Sequence, residues 1–268
     1  MNRQAQSAVL FLLGASLLHA ATTDLYLRYV KQGLRPLVLV AGAVLVAAAV
    51  ATVWYERKRA RRQGQHTADH RDGQENPENA EHQENSESHE NPDSHDGHGH
   101  REPRISWLLV LPLLALILVA PPALGSYSAT RTGTALQEPL AYPALPAADP
   151  LRLSLVDYAG RAVYDHGRTL RHRQVQLTGF LALDRDGTPY LVRMALNCCA
   201  ADAQPVKVAL TGEVPPVLQP DTWLRVTGTY VPRRAEDPVN GGPIPFIEVT
   251  AAKPVAAPTD PYDESWNS

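Results

Sequence analysis

Two groups of residues in this sequence have the types and spacing that metal chemistry needs. The first is His66, His70, His82, His89, His95, His98 and His100. They are interleaved with acids at every third position: Asp69, Asp72, Glu75, Glu78, Glu81, Glu84, Glu87, Glu90, Asp93 and Asp96. Neutral imidazole suits zinc, nickel, copper and cobalt, and carboxylate oxygens can complete a shell. A pliable tract of this kind could wrap a divalent cation with several interchangeable ligand sets, most densely in His-Asp-Gly-His-Gly-His from His95 to His100. A passive spacer grown by repeat expansion explains the same composition.

The second group is Cys198, Cys199 and Asp202, at the end of the stretch Arg193-Met-Ala-Leu-Asn-Cys-Cys-Ala-Ala-Asp. Successive side chains of a strand point to opposite faces, so both thiols reach one ion only if the chain turns within residues 197–202. Two sulfurs and one oxygen leave a four-coordinate zinc shell one ligand short, to be filled by water, another side chain or a partner. The alternative is one buried thiol beside a free or strained vicinal one. These are the chain's two cysteines, and adjacent residues cannot form a disulfide framework. His19 lies at the end of an apolar segment, where an ionisable group marks either a pathway or an interface. His166 and His172, near Asp165, have no metal-motif spacing and read as a solvated turn. The sequence holds no GxSxG, HExxH, Walker loop or dinucleotide fingerprint, so enzymatic activity is not expected.

The elements around these groups are of two kinds. Residues 37–55 (LVLVAGAVLVAAAVATVWY) form 19 positions without a charge, and residues 105–123 (ISWLLVLPLLALILVAPPA) form a similar run. At about 1.5 Å per residue each nearly covers a hydrocarbon core of about 30 Å. Residues 8–22 are shorter and follow Arg3, so a retained helix and a signal peptide both fit. The expectation is three N-terminal transmembrane helices. Between the second and third, residues 56–104 hold almost no apolar residues and a three-residue period matching neither helix nor strand, which predicts a disordered loop. Arg57, Lys58, Arg59, Arg61 and Arg62, with Arg101 and Arg104 before the next span, place that loop in the cytoplasm and residues 126–268 outside. Arg28, Lys31 and Arg35 pull the other way but are fewer. The expected location is the cell membrane, in several passes.

Past a Pro- and Ala-rich tether over residues 124–150, the pattern becomes that of a soluble domain, residues 151–268. Residues 151–164 have the apolar spacing of one short amphipathic helix. Five strand signals follow, over 174–183, 190–197, 206–210, 223–231 and 245–254, bounded by turn residues such as Asp186-Gly187. This spacing predicts a mainly-β domain, a small OB-like barrel or else a β-sandwich. A net charge of -3 with no clustered basic face argues against nucleic acid as a partner.

In layout and motif the chain resembles the YcgQ-like family, membrane proteins described as subunits of a two-component permease. An early helix ending near His19, a second span, a His-rich loop, a third span and a domain of unknown function follow in the same order. The stretch from Arg193 to Asp202, with Cys198 and Cys199, matches the family's distinctive segment, alongside Gly179-Phe180 and Asp260-Pro261-Tyr262. The resemblance implies a multi-spanning permease as partner, besides the lipid bilayer. Together with the two ligand-rich groups it suggests an accessory subunit linked to transport and to divalent metal binding, zinc first. The competing expectation is an extracytoplasmic thiol/redox or protein-binding module with no metal role.

Overall fold

The computed structural model describes residues 3–69, 111, 114–115, 118, 122–214 and 219–264. These fall into two compact units, one within Met1–Leu18 and Val40–Ala120, the other within His19–Leu39 and Pro121–Ser268.

The first unit is helical. Helix α1 spans Arg3–Thr22 and helix α2 spans Arg35–Asp69. Two helices here are long and apolar enough to cross a membrane, over Ala5–Thr22 and Gln32–Arg59. The 18 residues of the first window rise about 27 Å, close to the hydrocarbon thickness. Leu37, Val40, Val44, Val50, Trp54 and Tyr55 of α2 are exposed, the surface that lipid or another helix would cover. The two helices meet through glycine: a Cβ added to Gly14 would stand 2.9 Å from the Gly42 carbonyl oxygen. Such backbone proximity is how small residues let membrane helices associate.

One expectation changes here. Helix α2 does not stop at Tyr55 but continues to Asp69. The basic run is built of good helix formers, and Lys58 lies 5.0 Å from the Trp54 ring one turn back, so residues 56–69 extend the helix instead of opening the loop. His66 is therefore a helical residue. His70, His82, His89, His95, His98 and His100 lie outside the described residues, as does most of the third apolar segment, of which Leu111, Leu114, Ala115 and Leu118 are helical and exposed. Among the described residues two of the three expected spans stand as candidates, and the third lies mostly outside them.

The second unit is a closed barrel. Its strands are β1 (Leu151–Arg152), β2 (Gln174–Leu183), β3 (Pro189–Leu196), β4 (Gln204–Gly212), β5 (Trp223–Glu236), β6 (Pro243–Pro254) and β7 (Tyr262–Glu264). Strand β2 pairs with both β5 and β3, and β3 continues through β4 and β6 back to β5, which closes five strands into a ring. β4 and β6 run parallel, and every other pair in the ring is antiparallel. Strand β5 carries register breaks at Thr227/Gly228 and Val231/Arg234, where bulges add the local bend that closure requires. The short strands β1 and β7 lie alongside β2 and β3.

Alternation sorts the strand residues into two cores. Val175, Leu177, Leu181, Leu191, Val208 and Ile247 belong to one buried cluster, and Phe180, Ala182, Val192, Met194 and Phe246 to another. β3 is consequently buried on both faces. The helix Leu155–Val163, here α4, adds Leu155, Tyr158, Ala159 and Ala162 to the first cluster. It starts four residues later than the expected 151, because Leu151–Arg152 pair with β2 and Ser154 caps the helix, accepting from the Asp157 N–H at 3.0 Å; the Tyr158 hydroxyl donates to the Phe246 carbonyl at 2.7 Å.

The tether expected over residues 124–150 is instead folded onto the barrel. It includes a short helix α3 (Ser126–Arg131). Ala135 N–H donates to the Pro205 carbonyl at 3.0 Å, and the carbonyls of Leu136, Pro143, Pro146 and Ala148 accept from Tyr164, Arg161 and Arg173. A Pro-rich strip has few N–H groups but a full set of carbonyls, and long donors from the barrel side hold it without any periodic pattern.

Candidate metal centre

The centre is built at the exit of β3. The strand ends at Leu196, and Ala200–Asp202 form a 3₁₀ turn in which the Asp202 N–H donates to the Cys199 carbonyl at 3.1 Å. That turn brings the Asp202 carboxylate back over the strand end, where it accepts from the Asn197 N–H at 3.1 Å and the Cys198 N–H at 2.9 Å. One Cys198 sulfur, one Cys199 sulfur and one Asp202 oxygen then lie within 4.8 Å of one another. The turn required between residues 197 and 202 is the one observed. Bond lengths of about 2.3 Å to thiolate put the ligands of a tetrahedral zinc about 3.8 Å apart, so the three groups would close by roughly 1 Å to hold the ion.

Both cysteines are free thiols, Cys198 exposed and Cys199 half-buried. The hydrogen bond from Cys198 to Asp202, reinforced by one with Cys199, pushes the Cys198 thiol up to about 11 from its usual 9. Burial pushes the Asp202 carboxyl up, yet the hydrogen bonds it accepts from the Cys198 thiol and the backbone N–H groups of Cys198, Asn197 and Cys199 outweigh burial and hold it below the ordinary carboxylate value. The turn thus sets a thiol that donates beside a carboxylate that accepts, and a cation that replaces the thiol proton finds three ligand atoms already gathered.

The segment between the two helices completes the surroundings. Tyr29, Val30 and Lys31 pair with the site as a strip of antiparallel sheet, Val30 opposite Cys199. The Ala200 N–H donates to the Tyr29 carbonyl at 2.7 Å, and the Lys31 N–H to the Cys198 carbonyl at 3.1 Å. The Lys31 ammonium lies 3.2 Å from the Glu264 carboxylate, and Glu264 pairs with Leu196 in the β3–β7 register. Nothing in the sequence signals these partners, because most of the chain separates residues 29–31 from the cysteines.

Arg193 has a supporting position. It is buried and donates to the Asp263 carboxylate at 3.0 Å and to the Tyr262 and Asp260 carbonyls at 2.8 and 3.3 Å, pinning β7 to β3. Asp263 in turn accepts from the Leu155 N–H at 3.0 Å, so the residues resembling family motifs at 193 and 260–262 meet at the start of α4. His19 is exposed in the last turn of α1. His166 and His172 take left-handed backbone conformations, φ 50° and 59°, in turns.

Two further features had no sequence signal. Lys207 and Asp237 form a buried ion pair at 2.7 Å, with the Thr134 N–H also donating to Asp237. A cleft of about 870 Å³ is lined by Arg28, Tyr127, Phe180, Asp221, Trp223 and Pro261 among others. Phe180 and Trp223 meet edge to face in its wall, 5.8 Å between centroids.

Two helices fit to cross a membrane, joined to a five-strand barrel, define the class of protein. Residues 154–263, which are α4 and the barrel, match the family model of the DUF1980 C-terminal domain. No curated protein and no solved structure matches the chain.

Proposed function

We propose that this protein is a membrane-anchored accessory subunit of a permease and that its barrel binds a divalent cation, zinc before others, at Cys198, Cys199 and Asp202. The observation that carries this reading is the convergence of two thiols and one carboxylate on a single turn. No side chain completing a four-coordinate shell joins them among the described residues, which suits a site that exchanges its ion with a partner. The multi-spanning permease is implied by the resemblance to the YcgQ-like family. In this reading the histidine tract from His66 to His100 handles the same ion in the cytoplasm, and the barrel lies outside.

We read the barrel as OB-like. Its ring order β2-β3-β4-β6-β5, closing on β2, and its one parallel pair, β4 with β6, support that assignment over a sandwich. The thiol/redox alternative is weakened by a Cys198 thiol raised above its ordinary value, since reactive thiols are depressed ones. The protein-binding alternative draws on the cleft beside Phe180 and Trp223.

The test is metal content of the detergent-purified protein, with a His66–His100 deletion and the Cys198→Ser/Cys199→Ser double variant beside it. Loss of zinc in the double variant is expected. A wild type that is metal-free and takes up no zinc would leave the protein-binding reading.

A further inference from the structure

Resting on that reading of the cysteine turn, we infer that zinc bound there latches the segment joining α1 and α2 onto the barrel, so that occupancy of the site is read out in the interhelical link. The two hydrogen bonds between the link and the barrel in this strip bracket the ligands. One ends on the Cys198 carbonyl and the other starts from the Ala200 N–H, with Cys199 opposite Val30 between them. Fixing the sulfurs of Cys198 and Cys199 fixes the backbone that presents this donor and acceptor. A rigid edge then holds Tyr29 to Lys31 better than a mobile one. The ion itself need not touch the link.

The link has two further anchors. The Tyr262 hydroxyl donates to the Arg28 carbonyl at 3.0 Å, and Lys31 meets Glu264. Tyr262 and Glu264 both belong to β7, which lies along β3 beside the site. The link is thus held both by the ligand backbone and by β7, and only the contacts to the ligand backbone depend on the cysteines. Because residues 23–34 covalently connect α1 and α2, an ordered link restrains the helix ends it joins.

Coupling of this kind is reciprocal: if zinc strengthens the latch, breaking the latch weakens zinc binding by the same factor. Lys31 allows a precise cut. Its backbone, φ -56° and ψ 142°, already suits proline, and Val30 before it is bridged as an extended residue. Lys31→Pro removes the N–H that reaches Cys198 while leaving all three metal ligands in place. Lys31→Ala keeps that N–H and removes only the ion pair with Glu264.

The experiment uses the full chain in lipid nanodiscs, with zinc chloride as probe. Zinc affinity is measured by chelator competition, and amide exchange by mass spectrometry with and without the ion. The expected result is slower exchange over residues 29–31 and 200–202 on zinc addition, by about fivefold or more. Affinity should fall about threefold to tenfold in Lys31→Pro, the worth of one backbone hydrogen bond, and by less than about twofold in Lys31→Ala, as for an exposed ion pair. Zinc bound through Cys198 and Cys199 with unchanged exchange over 29–31 and wild-type affinity in Lys31→Pro would overturn the latch and leave the metal reading standing. A wild type that binds no zinc would overturn both.

Discussion

At the scale of single residues, the chemistry of the cysteine turn is set by one carboxylate. Asp202 accepts from the Cys198 and Asn197 N–H groups, and by accepting a hydrogen bond from the Cys198 thiol as well it raises that thiol. Asp202→Asn removes the negative acceptor, so the thiol falls back toward its ordinary value and its thiolate fraction rises. Alkylation of Cys198 at pH 8 should then be about tenfold faster than in the wild type, followed by mass spectrometry of the tryptic peptide. A rate that does not rise would mean that the carboxylate leaves the thiol alone. The buried pair Lys207–Asp237 poses a different problem. With side-chain exposures of 5% and 0%, neither charge has water to turn to. Lys207→Met strands Asp237 and should cost about 3–5 kcal/mol in denaturant unfolding, whereas the double variant Lys207→Met/Asp237→Leu should recover most of that loss. The residue types at 198, 199 and 202 were legible as candidate ligands in the sequence. The Lys207–Asp237 pair was not, since a lysine in a strand gives no sign that its partner lies two strands away.

At the scale of elements, the helix pair depends on Gly14 and Gly42. A Cβ at Gly14 would stand 2.8 Å from Val46 Cγ2, and one at Gly42 would stand 2.9 Å from Leu18 Cγ and 3.1 Å from the Gly14 carbonyl oxygen. Gly14→Val or Gly42→Val should therefore part the helices there. A disulfide between cysteines engineered one turn away on α1 and α2, formed readily in the parent, should form several times more slowly in either variant, by gel shift in membranes. The strand positions were readable because alternation and turn residues encode them locally, and each of the five expected strands starts within two residues of the observed one. The link and the former tether were not readable. Residues 24–34 and 132–150 hold their shape through Tyr262, Cys198, Arg161 and Arg173, all remote in sequence.

At the scale of the whole molecule, ion binding should appear as stability. A cation bound by the folded barrel and not by the unfolded chain adds about 2.7 kcal/mol at a free concentration a hundred times its Kd. The Tm of the detergent-solubilised wild type should rise with added zinc and return on chelation, while Cys198→Ser/Cys199→Ser should show no rise. A rise of equal size in the double variant would move the ion to other ligands, the histidine tract first among them.

What the sequence determined by itself was what local pattern can carry: two uncharged runs long enough to cross a bilayer, one short amphipathic helix within residues 151–164, and five strands bounded by turn residues. It also named Cys198, Cys199 and Asp202, because ligand chemistry is a property of residue type. The tertiary structure decided whether those three groups converge, since convergence depends on a 3₁₀ turn and on hydrogen bonds to Asp202 that no periodicity records. It likewise decided the closure of β2 on β5 and the pairing of Val30 with Cys199. These contacts join residues far apart along the chain, and their energy comes from burying and pairing groups that only folding brings together.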